Sequence, residues 1–204
     1  RLVDINEEYL GKVLNSCFSV FQTYADLKAV IGDTARSHAL LARFLNGKGM
    51  WEEAKKEFLA AINLEPDNPG YCSDIAHALL RRGDVEQAIY WWQKQKEVSP
   101  RDKWVYLSLT NAFVKLRRFD DALKELRDLI TLYPENMNHK AKLIRTLLAS
   151  GRLDEAIDEY YKVMEGNQNL SKSTYDAIRE YRIKGDYAKA IKILNESLTS
   201  ALKR

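Results

Sequence analysis

The chain has 204 residues and carries 32 basic against 29 acidic side chains, which leaves a formal net charge of +3 at pH 7. Its content of 46% hydrophobic residues is enough for a continuous core, which excludes wholesale disorder. The two cysteines are too few for a disulfide framework or a Cys-x-x-Cys zinc site, and no apolar run reaches the roughly 18 residues of a membrane span.

The first predicted element is a helical segment over residues 1–34. Apolar residues recur there at helical spacing, at Leu10, Leu14, Phe18 and Phe21. This stripe is out of register with the repeats that follow it. We therefore predict that residues 1–34 form an off-register N-terminal helical cap, because the end of a repeat array needs an element that covers its apolar face.

From residue 35 onwards the chain repeats itself with a period of 34 residues. Position 20 of every repeat is an alanine, position 15 is a glycine in all but the third repeat, and position 32 is a proline in the first three. The predicted repeats are residues 35–68, 69–102, 103–136, 137–170 and 171–204. The alanine column consists of Ala54, Ala88, Ala122, Ala156 and Ala190.

Each repeat predicts two helices joined by a tight turn. Apolar residues at positions 4, 7, 8 and 11 form one stripe of a first helix, as Tyr106, Leu109 and Phe113 do in the third repeat. The glycine supplies the turn, the alanine lets the two helices approach closely, and the proline ends the second helix. One hairpin cannot bury its stripe alone, so the predicted fold is all-α, an α-solenoid (superhelix) of stacked antiparallel helix hairpins.

These columns resemble the tetratricopeptide repeat (TPR) family over residues 35–204, together with a small residue at position 8, a large one at 11 and a bulky one at 24. The resemblance implies a non-enzymatic scaffold that binds a partner peptide or helix in a concave groove lined by the first helices. The sequence departs from the family at position 4, where the usual aromatic is replaced by His38, Cys72, Lys140 and Thr174.

The predicted partner-binding surface is the face of the first helices opposite the core stripe. Basic and amide side chains dominate it, which favours an acidic partner segment, although an ordinary solvated face also carries such residues. Trp104 is the large aromatic residue on this otherwise polar face and is a candidate anchor for the partner, with packing on a neighbouring hairpin as the alternative. The predicted site residues are Arg36, Arg43, Asp74, His77, Arg81, Trp104, Asn111, Lys115, Asn138, Arg145, Lys172, Arg179 and Arg182.

No motif for catalysis or cofactor binding occurs in the sequence. A phosphate-binding glycine loop, a His-Glu-x-x-His helix and a Gly-x-Ser-x-Gly turn are all missing, and His38, His77 and His139 are far apart. Acidic pairs such as Glu52 and Glu53 recur at positions 18 and 19, where they complement helix dipoles. We therefore predict no catalytic residues, no metal site and no cofactor.

Other functions stay open at this point. The chain begins with Arg, which fits a regulatory or targeting TPR domain of a larger, membrane-associated or enzymatic polypeptide. An RNA-binding helical repeat is a weaker alternative, since the charges are interspersed, and we expect no nucleic-acid partner. No helix follows Ile193, Leu198 and Leu202, so we expect an uncovered apolar face there and a homodimer through the C-terminal hairpin. The cysteine content permits a reducing compartment, which slightly favours the cytoplasm.

Overall fold

The computed structural model describes residues 7–21, 23–165 and 172–201. All regular secondary structure in this part of the chain is helical, which confirms the all-α fold class. The helices are α1 (Glu7–Phe21), α2 (Tyr24–Val30), α3 (Ala35–Gly47), α4 (Trp51–Leu64), α5 (Pro69–Arg82), α6 (Val85–Val98), α7 (Lys103–Lys115), α8 (Phe119–Leu132), α9 (Met137–Ala149), α10 (Leu153–Glu165), α11 (Lys172–Ile183) and α12 (Tyr187–Ala201).

The chain divides into two compact units, one that ends at Val105 and one that begins at Tyr106. In the first compact unit, α3 packs on α4, α5 packs on α6, and α4 also contacts α5. In the second, α9 contacts both α8 and α10, and α11 packs on α12. Each compact unit is thus built from helices that contact their neighbours in sequence, as stacked hairpins do.

The alanine column lies where the two helices of each repeat pack together. All five of these alanines are 0% exposed, so a larger side chain at position 20 would force the helix axes apart. The bulky residues one helical turn later are buried as well and fill the core beside them. These residues are Phe58, Trp92, Leu126, Tyr160 and Leu194.

The turn between the two helices has the same hydrogen-bond pattern in all five repeats. In the second repeat, the amide of Asp84 donates to the carbonyl of Leu79 at 3.0 Å, and the amide of Gly83 donates to the carbonyl of Leu80 at 3.1 Å. This pair of bonds is a Schellman motif, which requires a left-handed residue, and Gly83 has a φ of 88°. The residues equivalent to Asp84 in the other repeats are Met50, Arg118, Arg152 and Asp186.

The third repeat has Arg117 where the other repeats have glycine. Its turn keeps both Schellman bonds, from Arg118 to Phe113 and from Arg117 to Val114. Arg117 has a φ of 58°, and among the described residues it is the only non-glycine with a positive φ. A left-handed conformation costs an L-residue with a Cβ roughly 1–2 kcal/mol. The repeat therefore imposes its backbone geometry on a residue that does not favour it.

The segment before the first repeat forms two helices, of which α1 contacts α3. Leu14 of α1 and Leu27 of α2 are both buried. The ring of Phe18 meets the ring of Phe44 edge-on, with 5.8 Å between their centroids. Apolar contacts therefore join this segment to the first helix of the first repeat.

A buried carboxylate also connects this segment to the first repeat. Glu57 in α4 is 1% exposed and accepts hydrogen bonds from the hydroxyl of Tyr24 and from Nδ1 of His38. Its Oε1 lies 3.3 Å from Nζ of Lys28, while Nε2 of His38 lies 2.8 Å from Oδ1 of Asp33. Burial raises the pKa of Glu57, but the hydrogen bonds from Tyr24 and His38, together with the electrostatic attraction of His38 and Lys28, lower it by more, so the net shift is downward. Charge-assisted hydrogen bonds thus fix α2 to α4.

The C-terminal hairpin differs from the expectation of an uncovered apolar face. Leu198 is buried and Ile193 packs against the core of the second compact unit, while Leu202 lies outside the described residues. The expectation was wrong for Leu198 because α12 is amphipathic and turns this side inward. The exposed apolar side chains are instead Ile183 and Tyr187, at 76% and 52%, beside the turn between α11 and α12.

Candidate functional site

The predicted site residues all lie on the first helices of the repeats, and most of their side chains are exposed. Asp74 and Arg182 are half-buried, and the side chain of Lys172 lies outside the described part of the structure. By helix, these residues are Arg36 and Arg43 on α3, Asp74, His77 and Arg81 on α5, Trp104, Asn111 and Lys115 on α7, Asn138 and Arg145 on α9, and Lys172, Arg179 and Arg182 on α11.

In the first compact unit, the predicted surface combines both signs of charge. Nε of Arg43 on α3 lies 3.7 Å from Oδ2 of Asp74 on α5. Nδ1 of His77 donates to the carbonyl of Ser73 at 2.7 Å, and the ring of His77 contacts buried Trp92 edge-on, with 5.3 Å between centroids. His77 is therefore engaged with its own hairpin, and the charge of Arg43 is partly compensated.

Trp104 stands at the start of α7 with its ring in solvent. Its side chain is 65% exposed, which disagrees with the alternative that it packs on a neighbouring hairpin. The backbone amide of Trp104 donates to Oδ1 of Asp102 at 2.9 Å, and Nζ of Lys103 lies 5.3 Å from the indole centroid. A fixed backbone and an uncovered indole suit an aromatic anchor for a partner.

In the second compact unit, a cluster of polar and cationic side chains joins α7 to α9. Nζ of Lys142 donates to Oδ1 of Asn111 at 2.7 Å. Lys142 is half-buried, and burial together with the positive charge of Arg145 lowers its pKa. The described part of the chain places no carboxylate at ion-pair distance from Lys142. This cluster therefore offers donors and positive charge that a carboxylate from another molecule can satisfy.

Arg182 has a partner within the array, which the sequence did not indicate. Its Nε lies 2.7 Å from Oδ1 of Asp154 in α10, so the side chain connects the fourth repeat to the fifth. Arg152, which stands at a different position of its own repeat, contacts Asp120 and so joins the third repeat to the fourth. Arg182 thus contributes to the contact between repeats, although sequence reasoning placed it on the binding surface.

Lys142 is a candidate site residue that the sequence prediction omitted. It stands at position 6, where the second and fifth repeats carry Asp74 and Asp176, so this column gave no basic signal. The only hint in the sequence was the amide of Asn111 at position 9 of the preceding repeat. The structure brings these two side chains together and leaves Asp74 in the other compact unit.

Neither a metal-binding cluster nor a bilayer-spanning helix occurs in the described ranges 7–21, 23–165 and 172–201. No group of three or more His, Cys, Asp or Glu side chains is arranged to hold a metal ion there. None of the helices in the same ranges has both the length and the apolar character that crossing a bilayer requires.

Comparison with known proteins gives several relatives. The chain is 24% identical to mouse sperm-associated antigen 1 over 168 residues, which is 81% of this chain and 17% of that protein. It is 22% identical to the TPR repeat-containing protein YpiA of Bacillus subtilis over 176 residues, which is 86% of this chain and 41% of YpiA. The chain therefore spans less than half the length of these two relatives.

Solved structures of similar fold include those of MamA and YrrB. MamA from Desulfovibrio magneticus RS-1, from residue 41 to its end, superposes with a TM-score of 0.56 at 17% identity, covering 85% of this chain and 98% of that one. YrrB, described as a TPR protein with an unusual peptide-binding site, superposes with a TM-score of 0.56 at 17% identity, covering 93% and 92%. At these identities the likeness concerns the fold alone.

Two family models match the chain itself. Both describe tetratricopeptide repeats, and they match residues 35–68 and 107–170. The first match has the same bounds as the first repeat predicted from the period of 34 residues. These matches and the helix hairpins identify residues 35–68 and 107–170 as tetratricopeptide repeats.

Proposed function

We propose that this protein is a non-enzymatic scaffold that binds an acidic segment of a partner protein, extended or helical, along the first helices of its repeats. The tetratricopeptide repeat fold is a protein-interaction scaffold, and YrrB, one of its structural neighbours, is described as having a peptide-binding site. The acidic character of the partner is inferred from the side chains of this chain alone.

The observation that carries the proposal is the cluster of Asn111, Lys142 and Arg145. Burial and repulsion by the positive charge of Arg145, which stands one helical turn from Lys142 on α9, lower the pKa of Lys142. A carboxylate placed between them would relieve this repulsion and accept their hydrogen bonds. Arg179 occupies on α11 the position that Arg145 has on α9, and it is exposed as well. In the first compact unit, Trp104 offers an exposed indole for a separate apolar contact.

The test is a double charge reversal, Arg145→Glu with Arg179→Glu. The probe is a fluorescent peptide in which Asp and Glu alternate with Leu, and its binding is followed by anisotropy at two salt concentrations. We expect the variant to bind about tenfold or more weakly, since reversing the charge places like charges together, and we expect salt to weaken binding to the wild type.

A matched control reverses Lys124 and Lys192, which are exposed lysines on the second helices α8 and α12. This control has the same change in net charge, so a general loss of electrostatic steering would appear in both variants. Equal binding by the wild type and the Arg145/Arg179 variant, or equal loss in the control, would refute the assignment. A peptide with Asn and Gln in place of the acids should bind weakly to every form.

A second candidate function is favoured by the lengths of the relatives. Arrays similar to this one occupy 17% of mouse sperm-associated antigen 1 and 41% of YpiA, so they occur as segments of longer proteins. The chain would then be a regulatory or targeting domain within a larger polypeptide, and the activity of that polypeptide would come from residues outside this chain. Sequencing the full transcript decides between the two candidates.

Homodimerisation through the C-terminal hairpin is also part of the proposal. Its support is now the exposed pair Ile183 and Tyr187 rather than Leu198, which is buried. Two exposed apolar side chains beside one turn favour a contact with another apolar surface, and a second copy of the same hairpin provides one.

A further inference from the structure

A cleft of about 340 Å³ lies between helices α8, α9 and α10 of the second compact unit. Its floor and walls include Ile130, Leu143 and Val163, which belong to or pack against the core of this unit. The cationic side chains that line it are those of Arg127, Lys140 and Lys162. The volume is near the lower end of the range of small-molecule sites, about 300–1,000 Å³.

The cleft coincides with a departure of the fourth repeat from the repeat pattern. Position 4 of the first three repeats carries His38, Cys72 and Tyr106, and these side chains are 4%, 3% and 4% exposed. The fourth repeat has Lys140, which is only half-buried because its ammonium group requires water or a counter-ion. The side chain that would fill this place in the packing is therefore absent, and a cavity beside α9 remains.

The charges around the cleft are unbalanced. Lys162 lies 2.8 Å from Glu159, and Arg127 lies 3.7 Å from Glu155. Lys140 has no carboxylate at ion-pair distance among the described residues. Among the lining side chains, three cations face one carboxylate, that of Glu159. An apolar floor under an uncompensated ammonium group is complementary to an anion with an apolar body.

This cleft is separate from the surface proposed above for the partner protein. At about 100° per residue, Arg145 and Asn138 lie roughly 140–160° around α9 from Lys140. The cleft shares no residue with the predicted partner-binding surface. A ligand in it would therefore leave that surface free, and the two sites can be tested independently.

We propose that this cleft is a binding site for a small amphiphilic carboxylate, with its aliphatic chain on Leu143 and Val163 and its carboxylate at Nζ of Lys140. The volume of about 340 Å³ favours a single short chain over a helix of a partner. The ammonium group of Lys140 gains a charge-assisted hydrogen bond, and the apolar lining loses contact with water.

The probes are octanoate, octanol and octyltrimethylammonium, which share an eight-carbon chain and differ in the charge of the head group. Each is titrated into the whole protein, and binding is followed through the backbone amide resonances in heteronuclear NMR spectra. We expect saturable shifts with octanoate around Lys140, Leu143 and Val163. Octanol should bind about tenfold or more weakly, since it lacks the charged acceptor, and the cationic probe should not bind.

Two variants test the role of Lys140 directly. Lys140→Met keeps an unbranched apolar side chain but removes the charge, and should weaken octanoate binding about tenfold or more. Lys124→Met on the exposed side of α8 is the matched control and should bind octanoate as the wild type does. The comparison of octanoate with octanol on the wild type remains decisive should Lys140→Met fail to fold.

Three results would overturn the proposal. The first is equal affinity for octanoate and octanol, which would mean that the charge plays no part. The second is the absence of saturable shifts, or shifts centred on Arg145 instead of Lys140. The third is tighter binding at the same residues by a capped Leu-Glu dipeptide, which would identify the occupant as a segment of a partner protein.

Discussion

Replacing Arg117 with glycine should make the third repeat more stable. Arg117 occupies the left-handed position of its Schellman turn with a φ of 58°, whereas the four other repeats have glycine there, with φ between 71° and 88°. Glycine has no Cβ, so it adopts this conformation without strain. The substitution removes a penalty that comes from the backbone, and it changes no residue of the core.

The magnitude follows from two opposing contributions. Relief of the left-handed strain is worth roughly 1–2 kcal/mol. Glycine also loses more conformational freedom on folding, which costs about 0.5–1 kcal/mol. The expected net gain in the free energy of unfolding is therefore about 0.5–1 kcal/mol for Arg117→Gly.

Urea unfolding followed by circular dichroism measures this gain as a higher midpoint at an unchanged slope. Arg117→Ala is the matched control, because it removes the same side chain but keeps a Cβ, and it should give no gain. Gly83→Ala should show the reverse effect, a loss of about 0.5–1 kcal/mol, since its added Cβ would meet no atom within 4 Å and only the φ of 88° opposes it. Equal gains from Arg117→Gly and Arg117→Ala would show that the side chain, and not the backbone, is the source of strain.

Two further predictions concern the ends of the array. Glu57→Gln should destabilise the protein by roughly 1.5–3 kcal/mol near neutral pH, because it removes the buried charge that accepts hydrogen bonds from Tyr24 and His38. Because folding lowers the pKa of Glu57, the contribution of its carboxylate to stability is complete above the ordinary carboxyl range. This contribution is lost as the pH falls through the pKa of Glu57 in the folded protein. The urea midpoints of the wild type and of Glu57→Gln should therefore converge in acid. Ile183→Glu with Tyr187→Glu should abolish any concentration-dependent association in sedimentation experiments, and a wild type that stays monomeric at high concentration would contradict the dimer.

Much of the hairpin geometry could be predicted because it is enforced locally and repeatedly. An alanine in the same place five times reflects the closest approach of two helices, and a glycine column reflects one backbone conformation. Arg117 shows how strong that requirement is, since the turn keeps its hydrogen bonds even with the wrong residue. Periodicity in sequence reports such constraints directly.

Contacts that occur only once could not be predicted in this way. The burial of Leu198 depends on the rotation of α12, and the pairing of Arg182 with Asp154 depends on where two side chains end in the folded array. The cluster around Glu57 joins a repeat to a segment that has no counterpart elsewhere in the chain. None of these leaves a repeating signal, and each alters which side chains can meet a partner.

The cluster around Glu57 also limits how the repeats can be rearranged. The second, fourth and fifth repeats contact a preceding hairpin, whereas the first repeat contains a carboxylate that is matched to Tyr24 and Lys28 of one particular helix. Moving the first repeat to another place in the array would separate this acid from those donors and leave it buried without them. New arrays built by reordering the repeats of this protein must therefore keep the first repeat directly after α2.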